Sequence, residues 1–200
     1  GERRGHRDGR RKGAAPRARG PGAPGDGVAM SVDRSRIESL VRELIIAIGE
    51  DPNRAGLEQT PARVADAYAE FFSGVGEDPG APLDRTVSIA DADGHDGVVA
   101  GAVMLRDVQF RSVCEHHLLP FVGTAHIAYL PGAQVVGLGA LPRVVDVLAS
   151  RPQVQERLGE QIADVIASRI DARGVLVVLD AVHGCVTARG ERQPVASSLT

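Results

Sequence analysis

From residue 32 onward the apolar positions fall into runs of two different periods. Ile37, Leu40, Val41, Leu44, Ile45 and Ile48 recur every three or four residues, which places them on one face of a helix. Ser35 followed by Glu38 predicts a capping box at its start, and Gly49 predicts its end. Thr60-Pro61 predicts a second helix, with Thr as the cap and Pro in the first turn. Val64, Tyr68, Phe71 and Phe72 form its stripe, and Gly74 stops it. Residues 75–97, with Gly, Asp and Pro among them, read as a connecting loop. From Val98 the period shortens to two. Residues 98–113 and 121–130 read as strands, the second closing on the turn Pro131-Gly132. Helical spacing returns over 141–150 and 154–170, where Leu158, Ile162, Val165 and Ile166 mark a buried stripe. The run Gly174–Leu179 is a strand that leads into His183-Gly184-Cys185, with 186–188 as its continuation. Two helices, strands, two helices, strands is an α+β order, with a sheet covered on one face.

Composition bounds this picture. Two hundred residues suit a single domain with a tail: residues 1–31 are basic and rich in Gly and Pro, and the domain is expected over 32–200. Residues 1–30 carry eight Lys or Arg against three acids, so 31–200 keep 15 basic and 23 acidic residues, a net charge of −8. A body this acidic argues against nucleic acid as a partner. No apolar run reaches the ~18–20 residues needed to span a bilayer, and the N-terminus lacks a signal-peptide apolar core. No membrane role and a cytoplasmic location are therefore the expectations. Lys12 is the only lysine, so an anion held by the body must be met by Arg, His or backbone N–H.

The two cysteines, Cys114 and Cys185, each stand beside histidines at the end of a predicted strand. Cys114-Glu115-His116-His117 offers a thiolate and an imidazole three residues apart, a span that fits one tetrahedral metal. His183-Gly184-Cys185 supplies a second thiol and another imidazole. Cys114, His117 and Cys185 make three ligands with no third cysteine to close the set, which is the pattern of a catalytic Zn2+ with an open position. His116 and His183 are then free to move protons near neutral pH.

At this point the chain resembles GTP cyclohydrolase I. The resemblance lies in Cys114-Glu-His-His-Leu-Leu-Pro-Phe-Val-Gly followed by Ala-His-Ile-Ala-Tyr-Leu-Pro. It extends to Gly49-Glu-Asp-Pro-Asn-Arg-Ala-Gly-Leu-Glu-Gln-Thr-Pro-Ala-Arg-Val, Leu141-Pro-Arg-Val-Val-Asp, Arg151-Pro-Gln-Val-Gln-Glu-Arg-Leu and Arg189-Gly-Glu-Arg-Gln-Pro. It covers about residues 32–198 in family order. It implies the tunnelling fold: an antiparallel sheet with helices on one face and an N-terminal helical hairpin, assembled into an oligomeric barrel. That assembly is a homo-oligomer, usually a decamer, with active sites between subunits. The matched positions imply Cys114, His117 and Cys185 as zinc ligands and His116 and His183 as proton-transfer groups. They imply Gln155 and Glu156 near the guanine, and Arg63, Arg143 and Arg189 on the triphosphate. A carboxylate accepts from guanine N1 and N2 together, and a planar guanidinium suits phosphate. The implied reaction opens the guanine imidazole ring of GTP, releases formate and rearranges the ribose to give 7,8-dihydroneopterin triphosphate, a step of pterin and tetrahydrofolate biosynthesis.

The chain also departs from that family. It reads Gly137-Leu138-Gly139-Ala140 where members usually read Gly-Leu-Ser-Lys, and Thr124 where they usually carry a lysine. It reads Val182-His183-Gly184-Cys185 where Glu-His-Leu-Cys is frequent, and its ending from Pro194 is loosened. Losing one charge-assisted contact costs ~1.5–3 kcal/mol. Besides GTP hydrolysis, the same ring opening on a modified or less phosphorylated guanine nucleotide therefore stands as an alternative. A non-catalytic homologue is a further one, which the intact His116 and His183 argue against. The Cys-Glu-His-His context argues against a related NADPH-dependent nitrile reductase.

Overall fold

The computed structural model describes residues 32–89, 101–189, 193 and 195–200. The basic segment 1–31, the stretch 90–97 of the expected loop and the expected strand start at 98–100 lie outside them.

Helix α1 spans Arg34–Ala47, and its cap is Asp33, whose carboxylate accepts from the Arg36 N–H at 2.9 Å. The capping box expected from Ser35 and Glu38 is thus displaced by a carboxylate two residues earlier. Ser35 lies inside the helix, where its carbonyl accepts from Ser39 Oγ at 3.1 Å. Helix α2 spans Thr60–Phe71 with Pro61 in the first turn, and Gln59 stands at the cap in place of Thr60. The two helices pack on each other. They attach to the rest mainly at the end of α2. There Arg111 pairs with Glu70 and lies over the Phe71 ring, and the Gly74 N–H donates to Ser150 O at 3.0 Å.

The expected loop after α2 contains a 3-10 turn at Ala81–Leu83 and a short strand β1, Thr86–Ser88. Strand β1 pairs antiparallel with β4, Gln134–Val136, a pairing too short to show a period in the sequence. The main sheet is built from β2 (Val103–Cys114), β3 (Pro120–Leu130), β5 (Pro152–Gln153), β6 (Gly174–His183) and β7 (Ser198–Leu199). Its order is β5-β2-β3-β6-β7. All pairings are antiparallel except β5 with the end of β2, which is parallel and two residues long. Helices α3 (Ala140–Ala149) and α4 (Gln155–Arg169) cover one face, where Phe121, Ile127, Tyr129, Leu141, Leu158, Ile162 and Leu179 are fully buried. This apolar layer is the main favourable term holding the domain together. Strands β3 and β6 approach closely at Gly123, where a Cβ would stand 2.1 Å from Asp180 O. The expected continuation of β6 over 186–188 is instead a helical turn, α5 (Gly184–Thr187), with Thr187 Oγ1 donating to His183 O at 3.1 Å. Among the described residues no helix is long and apolar enough to cross a membrane.

Candidate metal centre

One end of the sheet gathers the reactive side chains because of register. Val113 faces Pro120 across β2 and β3, and Phe121 faces His183 across β3 and β6. The end of β2, the start of β3 and the end of β6 therefore converge: His117 lies in the turn between β2 and β3, and His183 closes β6 with Cys185 just beyond it. Cys114 closes β2, and the turn that follows is fixed by Leu118 N–H donating to Cys114 O at 2.8 Å and Cys114 N–H donating to Leu119 O at 2.9 Å. Gly184 lets α5 begin against β3, since a Cβ there would lie 2.8 Å from Pro120 O. Cys185 is thereby carried back toward Cys114.

The Cys114 and Cys185 sulfurs and a His117 ring nitrogen all lie within 4.8 Å of one another. Cys114 is buried, Cys185 half-buried and His117 exposed. Burial pushes the Cys185 thiol up, and the Cys114 thiol beside it pushes it further, while Arg189 pulls the other way. Two adjacent thiols ionise together only against a cation, and a donor set of two sulfurs and one imidazole suits Zn2+. The residues present therefore fit such an ion, with three protein ligands.

His183 stands at the rim of this group. Its ring stacks on Phe121 at 4.6 Å between centroids with 9° between planes. Gln155, only 1% exposed, commits its amide nitrogen to Leu179 O, Ser198 O and Thr200 Oγ1 at 2.9–3.0 Å. Its Oε1 therefore accepts from His183 Nε2–H at 2.7 Å, and His183 Nδ1 is left as the nitrogen able to take a proton. Burial pushes the His183 imidazole below the ordinary histidine range, with Glu156 nearby acting in the opposite direction. His116 is exposed; its ring stands edge-on to His117 at 6.3 Å, and its Nε2 lies 3.9 Å from Glu115 Oε1.

Glu156 follows Gln155 in the first turn of α4 and lines an open groove of about 440 Å³. Gly159, Ala163, Val175, Val177 and Thr200 form much of its wall. Of the three arginines singled out from the sequence, Arg189 is felt at Cys185. Arg63 lies on α2 with its guanidinium donating to Gln59 Oε1 at 3.1 Å, and Arg143 is exposed on α3. Among the described residues neither meets the thiol group within this chain. Sequence reasoning missed a further set. Arg157 pairs with Glu115 and holds that carboxyl below the usual carboxylate range, and Arg157 Nε donates to Gln153 Oε1 at 3.2 Å. These partners lie 42 residues apart, so no local pattern reveals them.

The GTP cyclohydrolase I family model matches residues 37–200. Curated relatives named GTP cyclohydrolase 1 include that of Leifsonia xyli subsp. xyli, 60% identical over 168 residues, covering 84% of this chain and 85% of that protein. The one from Rhodopirellula baltica is 53% identical, with 84% and 70% covered. The one from Corynebacterium glutamicum strain R is 49% identical, with 84% and 83% covered.

Proposed function

We infer, since this chain belongs to the GTP cyclohydrolase I family, that it is a hydrolase acting on the cyclic amidine bonds of GTP. The reaction consumes GTP and water and yields formate and 7,8-dihydroneopterin triphosphate. The observation that carries the reading is the convergence of Cys114, His117 and Cys185 within 4.8 Å, beside a histidine whose tautomer is fixed.

Cys114, His117 and Cys185 would hold Zn2+, which would supply Lewis acidity to activate water near neutral pH. The remaining work falls to the chain's own groups. His183 Nδ1, with Nε2–H committed to Gln155, takes and returns a proton as the imidazole ring and the ribose open. His116, exposed beside a ligand, serves a second transfer. The Glu156 carboxylate accepts from N1–H and N2–H of the guanine, a pair of donors that adenine does not present. Gln155 was expected near the guanine too, but its committed amide supports a role behind His183 instead. Arg189, and Arg63 and Arg143 of a neighbouring copy, meet the triphosphate.

Assembly follows from the same reading: a homo-oligomer, with the decamer as the expected form and active sites shared between copies. What supports this is the stripe of Leu40, Leu44 and Ile48 on α1, which none of the described residues covers. A single catalytic domain over 32–200, a cytoplasmic location and a place in pterin biosynthesis complete the proposal.

A second reading, ring opening on a less phosphorylated guanine nucleotide, is favoured by Ala140. That residue, standing where the family resemblance leads one to expect a lysine, is only 4% exposed at the start of α3. Formate release and the fluorescence of the oxidised pterin product, measured with GTP, GMP and guanosine, separate the two. Turnover of GTP well above the others supports the first reading; turnover confined to GMP or guanosine establishes the second; formate from none of them defeats both.

A further inference from the structure

The turn that carries His117 is not relaxed backbone. Leu118 sits at φ 52°, in the left-handed region that a leucine adopts only where its surroundings hold it. The two hydrogen bonds inside the turn close it but do not anchor it to anything. The His117 ring meets His116 edge-on and lies within 4.8 Å of the two sulfurs.

The anchor comes from outside the turn. Glu115 N–H donates to Gln153 O at 3.0 Å, and the Glu115 carboxylate pairs with Arg157 in the first turns of α4. Arg157 is itself held: Nε donates to Gln153 Oε1 at 3.2 Å, and Nη2 donates to Pro152 O at 3.3 Å as well as to Glu115. Behind it Gln153, buried, donates from Nε2 to Leu148 O and to Gln161 Oε1, each at 2.9 Å. The guanidinium thus bridges a strained turn to a rigid helix. That helix opens with Gln155 and Glu156, so the guanidinium links the turn of the metal ligands to the element that carries these two residues.

We propose that Arg157, acting through Glu115, is a positioning residue that holds the Cys114–His117 turn in its metal-binding shape. This rests on the assignment of Zn2+ to Cys114, His117 and Cys185. The competing account is an ordinary surface ion pair. The Arg157 and Glu115 side chains are 41% and 34% exposed, and a pair so solvated contributes little to global stability. The two accounts therefore differ in where an effect appears: at the metal for a positioning pair, and nowhere large for a decorative one. Lysine retains the charge but not the three-way fork, so it restores only part of the function.

The test is zinc affinity of the metal-free full chain, by competition with a chromophoric chelator, for wild type, Arg157→Met, Arg157→Lys, Glu115→Gln and Cys185→Ala. Expected are one zinc per wild-type chain and none at Cys185→Ala. Arg157→Met and Glu115→Gln should bind roughly 10–100-fold more weakly, the range found when outer partners of metal ligands are removed. Arg157→Lys should lie between, all with unchanged melting midpoint and oligomer size. With zinc saturating, kcat should fall while KM for GTP stays near wild type. If Arg157→Met misfolds, the milder Glu115→Gln decides. Wild-type affinity in Glu115→Gln and in a folded Arg157→Met, with Cys185→Ala still zinc-free, overturns the positioning role and leaves the metal assignment standing. Equal zinc binding by wild type and Cys185→Ala overturns the metal assignment and the positioning role with it.

Discussion

At the thiol end of the sheet the polar side chains find partners within the chain: His183 with Gln155, Gln155 with three oxygens, Glu115 with Arg157 and Arg157 with Gln153. On α1, by contrast, Leu40 and Leu44 are each 59% exposed and Ile48 69%, although the helical stripe they form is as regular as any in the sequence. The polar contacts of the first region close within one subunit. The second presents a face that none of the described residues covers, and its neighbour α2 carries an arginine expected on phosphate. On the proposed reading, the difference separates the chemistry that one chain holds by itself from binding that draws on a second copy.

The comparison breaks most decisively if the thiol end is not where the reaction occurs. Cys114→Ala and Cys185→Ala should each lose zinc and cut formate release about a thousandfold or more, as expected when a metal's several kcal/mol of transition-state stabilisation is removed. Metal analysis beside a formate assay checks this, and near-normal turnover in either variant moves the chemistry elsewhere. His183→Ala and His116→Ala come next, with kcat down about 10²–10⁴-fold and zinc retained, the ordinary range for a lost proton-transfer group. Zinc lost along with activity in His183→Ala would reassign that residue to metal support. Glu156→Gln should raise KM for GTP about 10–100-fold, because an amide N–H then opposes the guanine's donors at ~1–3 kcal/mol. An unchanged KM removes Glu156 from base recognition.

A smaller effect sharpens the contrast between the regions. Arg63→Ala should weaken GTP binding by about one to two decades, the worth of one charge-assisted contact. Co-expressed with His183→Ala, it should regain activity, because some sites then combine an intact Arg63 from one copy with an intact His183 from another. No regain in mixed oligomers would mean that both residues serve one site from the same chain.

Legibility in the sequence followed the same division. Long runs of one period were readable: α3, α4, β3 and most of β6 fall where the spacing of Leu158, Ile162, Ile127 and Leu179 puts them. The convergence of Cys114, His117 and Cys185 was readable because thiols are scarce in this chain and both stand beside histidines. Short or long-range features were not. The pairing of β1 with β4 spans three residues, and α5 is a single turn set by the approach of Gly184 to Pro120. The Arg157–Glu115 pair depends on the parallel docking of β5 against β2, which no periodicity encodes. Ala140 shows a different gap. Set against the family resemblance it reads in the sequence as a missing charge, whereas in the fold it is a buried position. Restoring lysine there carries a packing cost, while serine at Gly139 would meet open space.

X-ray absorption at the zinc edge of the purified, active protein tests the central claim most directly. Ligation by Cys114, His117 and Cys185 predicts two sulfurs at about 2.3 Å and two nitrogen or oxygen neighbours at about 2.0–2.1 Å, one of them water. Cys185→Ala should abolish that spectrum. A first shell of nitrogen and oxygen alone, or one unchanged by Cys185→Ala, would contradict the account.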